Sequence, residues 1–111
     1  MVDLTFLKKF TKDDPRKIKR YISLYLEVAP QLFEEMQLNL KNGDFEQLRI
    51  NAHSLKPQAD FIGVTSLKEE LNKIEEAVKM NNTDVIEKLF NASLTLYTAS
   101  EISLKEMLDQ F

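Results

Sequence analysis

Apolar residues recur along this chain at steps of three and four, and the pattern resolves into a series of helices. Leu4, Phe6, Leu7 and Phe10 suggest a short first helix ending near Thr11. A helix of that length does not persist alone in water, so it is expected to lie over one end of a larger body. Lys12-Asp13-Asp14-Pro15 reads as the next helix start, with Asp14 as cap and Pro15 at the first position, where no donor is needed. From there Ile18, Ile22, Tyr25, Leu26, Ala29, Phe33, Met36 and Leu40 form one face. Pro30 lies within that run and removes a backbone donor, which predicts a kink or two abutting helices. Asn42-Gly43 ends the run, with Gly43 suited to the left-handed conformation.

The stretch from Asp44 to Gly63 follows, with Asp44 as cap and Phe45, Leu48, Ala52, Leu55, Ala59 and Ile62 along its buried side. Gly63 closes it and Val64-Thr65 makes the turn. Ser66-Leu67-Lys68-Glu69 reads as a capping box, with Leu67, Leu71, Ile74 and Val78 as the next stripe. Asn81-Asn82 breaks that helix, and Thr83 is the expected cap of the last one. Its apolar face holds Val85, Ile86, Leu89, Phe90, Leu94, Tyr97, Leu104 and Leu108, widened by Leu96 and Ile102. Ser93, Thr95, Thr98, Ser100 and Ser103 are small enough to allow close helix approach. Two Gly and three Pro in 111 residues leave little material for strands and tight turns. The predicted fold is therefore all-α: an antiparallel up-down-up-down four-helix bundle with a short extra N-terminal helix, residues 1–111 forming a single domain.

One residue in the Asp44–Gly63 helix breaks from this economy. His53, the only histidine, points about 130° away from the stripe's mean direction and so should face solvent near mid-helix. Glu46, Arg49, Ile50, Pro57 and Asp60 share that open face, with Lys56 at its boundary. Composition narrows what such a histidine can do. The net charge of −3 and the lack of a basic run argue against nucleic-acid binding. The absence of cysteine and the lone histidine exclude thiolate and histidine-rich metal sites. No apolar run approaches the roughly 20 residues of a membrane span, and the region around Asp3 and Lys8-Lys9 does not look like a signal peptide. A cytoplasmic location is the expectation.

The string Ala52-His53-Ser54-Leu55-Lys56, with Ile62-Gly63 after it, Asn42-Gly43-Asp44-Phe45 before it and Leu67, Leu71 and Ile74-Glu75 beyond, resembles the histidine-containing phosphotransfer (HPt) domain family. The resemblance runs from about Leu4 to Leu108. It implies that His53 carries a phosphoryl group, exchanged with an aspartate of a response-regulator receiver domain or a hybrid sensor histidine kinase in a multistep phosphorelay. It further implies no cofactor of the chain's own, the Mg²⁺ coming from the partner receiver. Members of the family more often have Gly at the place of Pro57, and many carry a helpful polar side chain where this chain has Glu75. A carboxylate there repels a phosphoryl group if close, so Glu75 reads as structural or hydrogen-bonding rather than as a site residue.

The chemistry is consistent with that reading. An imidazole in water offers a free ring nitrogen as nucleophile near neutral pH. Phosphoryl transfer mainly needs positioning and positive charge. Lys56, three positions after His53, can reach over the same face, and Arg49, four before, is a second candidate or a solvated charge. No Gly-rich phosphate loop or acidic cluster at metal spacing is present, so a partner must bring the other half of the reaction. Arg49, Ile50, Pro57, Asp60, Phe61 and Val64 form the expected docking patch. Phe61 either joins it or packs under the first helix; Pro57 is either a stiff part of it or a bend without function. The rival reading is a non-catalytic adaptor, a pseudo-HPt, that binds receivers without transfer. A purely structural dimerisation bundle and a lone enzyme fit less well, and a monomer is expected.

Overall fold

A computed structural model describes the whole chain, Met1 to Phe111. Five α-helices follow one another: α1 (Thr5–Phe10), α2 (Pro15–Lys41), α3 (Phe45–Ile62), α4 (Thr65–Lys79) and α5 (Ile86–Leu108). A single 3₁₀ turn, Thr83–Val85, precedes α5. The four long helices pack as an all-helical bundle in which each contacts the next and α5 closes back on α2. At 1.5 Å per residue the 27 residues of α2 span about 40 Å, close to the 43 Å long dimension of the molecule. The core runs the length of the bundle. Ile18, Ile22, Tyr25, Ala29, Phe33 and Met36 of α2 meet Leu48, Ala52, Leu55 and Ala59 of α3, Leu67, Leu71 and Ile74 of α4, and Ile86, Phe90, Tyr97 and Leu104 of α5. Burying each of the larger side chains contributes about 1.5–3 kcal/mol.

The predicted stops and starts hold in part. Asp14 Oδ1 accepts from the Arg16 amide at 3.0 Å with Pro15 at the first helical position, and Asp44 Oδ1 accepts from the Gln47 amide at 3.2 Å. The expected capping box does not form. Val64 is buried against the core, so α4 begins at Thr65, and the Val64 carbonyl accepts from the amides of Leu67 and Lys68. Ser66 thereby falls inside the first turn. Thr83 likewise opens the 3₁₀ turn and provides no side-chain cap for α5. Pro30 does not divide α2, which runs through it as one helix. On α5 the buried positions are Ile86, Phe90, Ser93, Tyr97, Ser100 and Leu104, strictly at steps of three and four, so Ile102 falls outside the arc and is exposed. Two of the small residues do sit in the interface: the Ser93 hydroxyl donates back to the Leu89 carbonyl and Ser100 to that of Tyr97.

α1 is held against α3 by aromatic edges and by backbone. Phe61 contacts Phe6, Phe10 and Tyr21 edge-on, with ring centroids 5.6, 5.1 and 5.1 Å apart, each such pair contributing about 0.5–1.5 kcal/mol. Just beyond, the Asp3 amide donates to the Gly63 carbonyl at 2.9 Å. Gly63 ends α3 at φ 88°, and a Cβ there would lie 1.7 Å from the Asp3 carbonyl oxygen. Gly43 is also left-handed, at φ 69°, but faces open space. Gly63→Ala should therefore lose about 2 kcal/mol or more and free the N-terminal segment to proteolysis, whereas Gly43→Ala should lose only the left-handed strain of about 1–2 kcal/mol. Urea unfolding of the two variants checks this; equal losses would show that the Asp3–Gly63 approach is unimportant.

Candidate functional site

α3 turns its apolar stripe inward and leaves His53 on the outer side, with 67% of the side chain exposed. Ala52 and Leu55 beside it are fully buried, so the backbone carrying the imidazole is fixed by the core. On α4, Glu75 lies beside the buried Ile74 and one turn after the buried Leu71, which places it at the edge of the stripe facing α3. Its side chain is only 3% exposed. Glu75 Oε1 lies 2.7 Å from His53 Nδ1, and Oε2 lies 2.5 Å from Lys56 Nζ. Lys56 also donates to Asn72 Oδ1 at 3.0 Å. Two residues of α3, one turn apart, thus converge on one carboxylate of α4.

Burial by itself pushes the Glu75 carboxyl up, but the close Lys56 ammonium, the His53 contact and their charges outweigh it and hold the group below its ordinary range. An ionised carboxylate only accepts. His53 Nδ1 therefore carries the proton and donates, which leaves the Nε2 lone pair on the solvent side. Oε2 is sealed from water and meets no hydrogen bond of good geometry, so the Lys56 ammonium is what balances its charge. The arrangement is an exposed imidazole whose Nδ1 is tied to a buried carboxylate that an ammonium also contacts.

The family model for the Hpt domain matches residues 20–111, most of the chain. The chain belongs to the Hpt domain family. No curated protein and no solved structure matches it. Membership implies a part in histidine phosphotransfer within a phosphorelay, as a phosphocarrier acting with receiver domains and kinases. No helix of this Hpt domain is long and apolar enough to cross a membrane.

Around His53 the remaining predicted positions separate into an open and a closed set. Ile50, Pro57 and Asp60 are exposed on the outer face of α3. The helix continues through Pro57 without interruption. Asp60 pairs with Lys68 of α4 at 3.3 Å. Arg49 turns along its own helix to Glu46, so it is engaged away from the ring. Phe61 takes the second of its two expected places, under α1, and is half-buried. Val64 is a correction: it is 2% exposed, because the turn into α4 pins it in the core, and it is no part of an open surface.

Glu75 is the residue that sequence reasoning set aside and the geometry brings in. Its signal was present: a carboxylate flanking Leu71 and Ile74 on an apolar stripe needs a partner, and the cations able to supply one lie on the facing helix. Because its folded-state carboxyl titrates below the ordinary value of 4.5, the stabilisation it provides is complete above that value and is lost as pH falls through the folded value. Urea unfolding of wild-type and Glu75→Gln chains should show the wild type losing ground relative to the variant on acidification through the carboxylate range. A difference that does not change with pH would remove the ion triad from the stability of the domain.

Proposed function

We propose that this Hpt domain carries a phosphoryl group on Nε2 of His53 and exchanges it reversibly with the aspartate of a receiver domain. The observation behind this reading is an exposed imidazole whose other nitrogen is tied to a buried carboxylate, so that the reactive lone pair is both oriented and open. Lys56 supplies positive charge beside the incoming equatorial oxygens. The receiver supplies the aspartate and its Mg²⁺. Docking uses Ile50 and Pro57 next to His53, together with a shallow apolar groove of about 440 Å³ between α2 and α3 that Leu24, Val28 and Pro57 line. Pro57 and Phe61 also border a second groove, which reaches the Phe6 side of α1, so Pro57 stands on the ridge between the two.

Incubation with a panel of labelled, phosphorylated receivers tests the reading. Label should move to the chain in an acid-labile, base-stable form and be absent from His53→Gln; label retained by that variant rules out His53 as carrier. Binding of receivers without label would instead favour the adaptor. Lys56→Ala should slow transfer about a hundredfold to a thousandfold and cost about 1–3 kcal/mol of stability by orphaning Glu75 Oε2, and an unchanged rate would take Lys56 out of the reaction. Ile50→Glu should raise the receiver concentration needed for half-maximal transfer, and an unaltered value would move the docking surface elsewhere.

A further inference from the structure

A neutral amide at position 75 would accept the Nδ1 hydrogen bond as well as a carboxylate does, yet this chain places a full negative charge there, buried and 2.7 Å from the ring. We propose that Glu75 holds the phosphorylated imidazole of His53 in its Nδ1-protonated, cationic form, so that the ring leaves as neutral imidazole when the phosphoryl group departs. The inference rests on His53 as the carrier and concerns the state that follows phosphorylation. Glu75 is a positioning residue here: it touches the ring on the side away from the phosphorus.

The steps balance without any proton exchange. In loading, the Nε2 lone pair attacks phosphorus, the N–P bond forms, and the P–O bond of the aspartyl phosphate breaks with its electrons retained by the carboxylate. The ring, still bearing the Nδ1 proton, then has one positive charge. In unloading, an oxygen nucleophile attacks phosphorus, the N–P bond breaks and its electron pair returns to Nε2, giving back the neutral Nδ1–H imidazole. Were Nδ1 to lose its proton in between, the ring would have to leave as an imidazolate anion, a much poorer leaving group. A carboxylate in contact with Nδ1–H opposes that loss, as an opposite charge at this distance shifts a titration by about one to three pH units.

The charged neighbours of the ring agree with this assignment. From α4 comes Glu75, the only ion pair to the imidazole. From α3 come Lys56, already neutralising the other oxygen of Glu75, and Arg49, close enough to interact with Glu75 through its charge but held by Glu46. Glu75 is shielded from water, while the ring it meets is 67% exposed and Lys56 offsets part of the carboxylate's charge. The effect is therefore carried by the direct contact with Nδ1–H rather than by a field acting at a distance.

Phosphoramidate, a small phosphoryl donor, can load the full chain without a partner, and loss of label from His53 is then followed across pH for wild type and Glu75→Gln. The carboxamide keeps the shape and an acceptor oxygen for Nδ1–H, removes the charge, and turns its NH2 toward Lys56 in place of Oε2. Release from the variant should fall off about one to three pH units lower than release from wild type. At a pH between the two limits, wild type should give up its phosphoryl group about tenfold faster or more. Superimposable profiles would overturn the proposal. A readout free of any variant is the nitrogen NMR shift of Nδ1 in the phosphorylated wild type. It should report a protonated ring above the pH at which free phosphohistidine loses its proton, and coincident titrations would overturn the proposal equally. If label lands elsewhere than His53, the carrier reading falls and this inference with it. If His53 is labelled and the profiles coincide, this inference alone falls.

Discussion

A carboxylate taken out of water must be matched, and in this domain the matching of Glu75 connects the packing of the bundle to its chemistry. The two oxygens of Glu75 meet His53 and Lys56, both presented by the neighbouring helix one turn apart. Removing either contact strands a buried charge, an outcome that costs far more than an exposed ion pair contributes. The register of α3 against α4 is therefore tied to the orientation of one imidazole. The apolar stripes hold the two helices together, and the triad specifies which side-chain atoms face each other across them.

The surroundings leave that imidazole accessible while keeping its backbone rigid. α3 is anchored by Leu48, Ala52, Leu55, Ala59 and Ile62, all buried. Its far end is sealed by the close approach of Gly63 to Asp3 and by Phe61 beneath α1. A second polar tie, Asn51 to Asn39 of α2 at 2.8 Å, secures the near end. Between these ends the outer face carries His53, Ile50 and Pro57 on a helix packed along its whole inner side. Rigid presentation is what the proposed carrier role of His53 would call for, since an attacking group has to be held in line with its target.

The division of labour follows from the same arrangement. Phosphoryl transfer needs a nucleophile, a leaving group and charge neutralisation at the equatorial oxygens. This Hpt domain holds an oriented nitrogen and one ammonium. On the proposed reading the remainder arrives with the partner, and the surface around Pro57 is where it would dock. Pro57 puts a stiff, exposed ring on that surface.

The amino-acid sequence by itself determined the number and order of the helices, the start caps at Asp14 and Asp44, the left-handed stops at Gly43 and Gly63, and the outward direction of His53. These are consequences of local periodicity and of backbone preferences, which act between residues a few positions apart. The tertiary structure decided what depends on contacts between helices. It buried Val64, which periodicity could not place because it lies between two helices. It put Phe61 under α1, where aromatic edges were available, and started α4 two residues too early for the capping box. Above all it joined Glu75 to His53 and Lys56: the sequence separates Glu75 from His53 by 22 positions, and only the packing of α3 on α4 brings a buried negative charge to the two groups able to satisfy it.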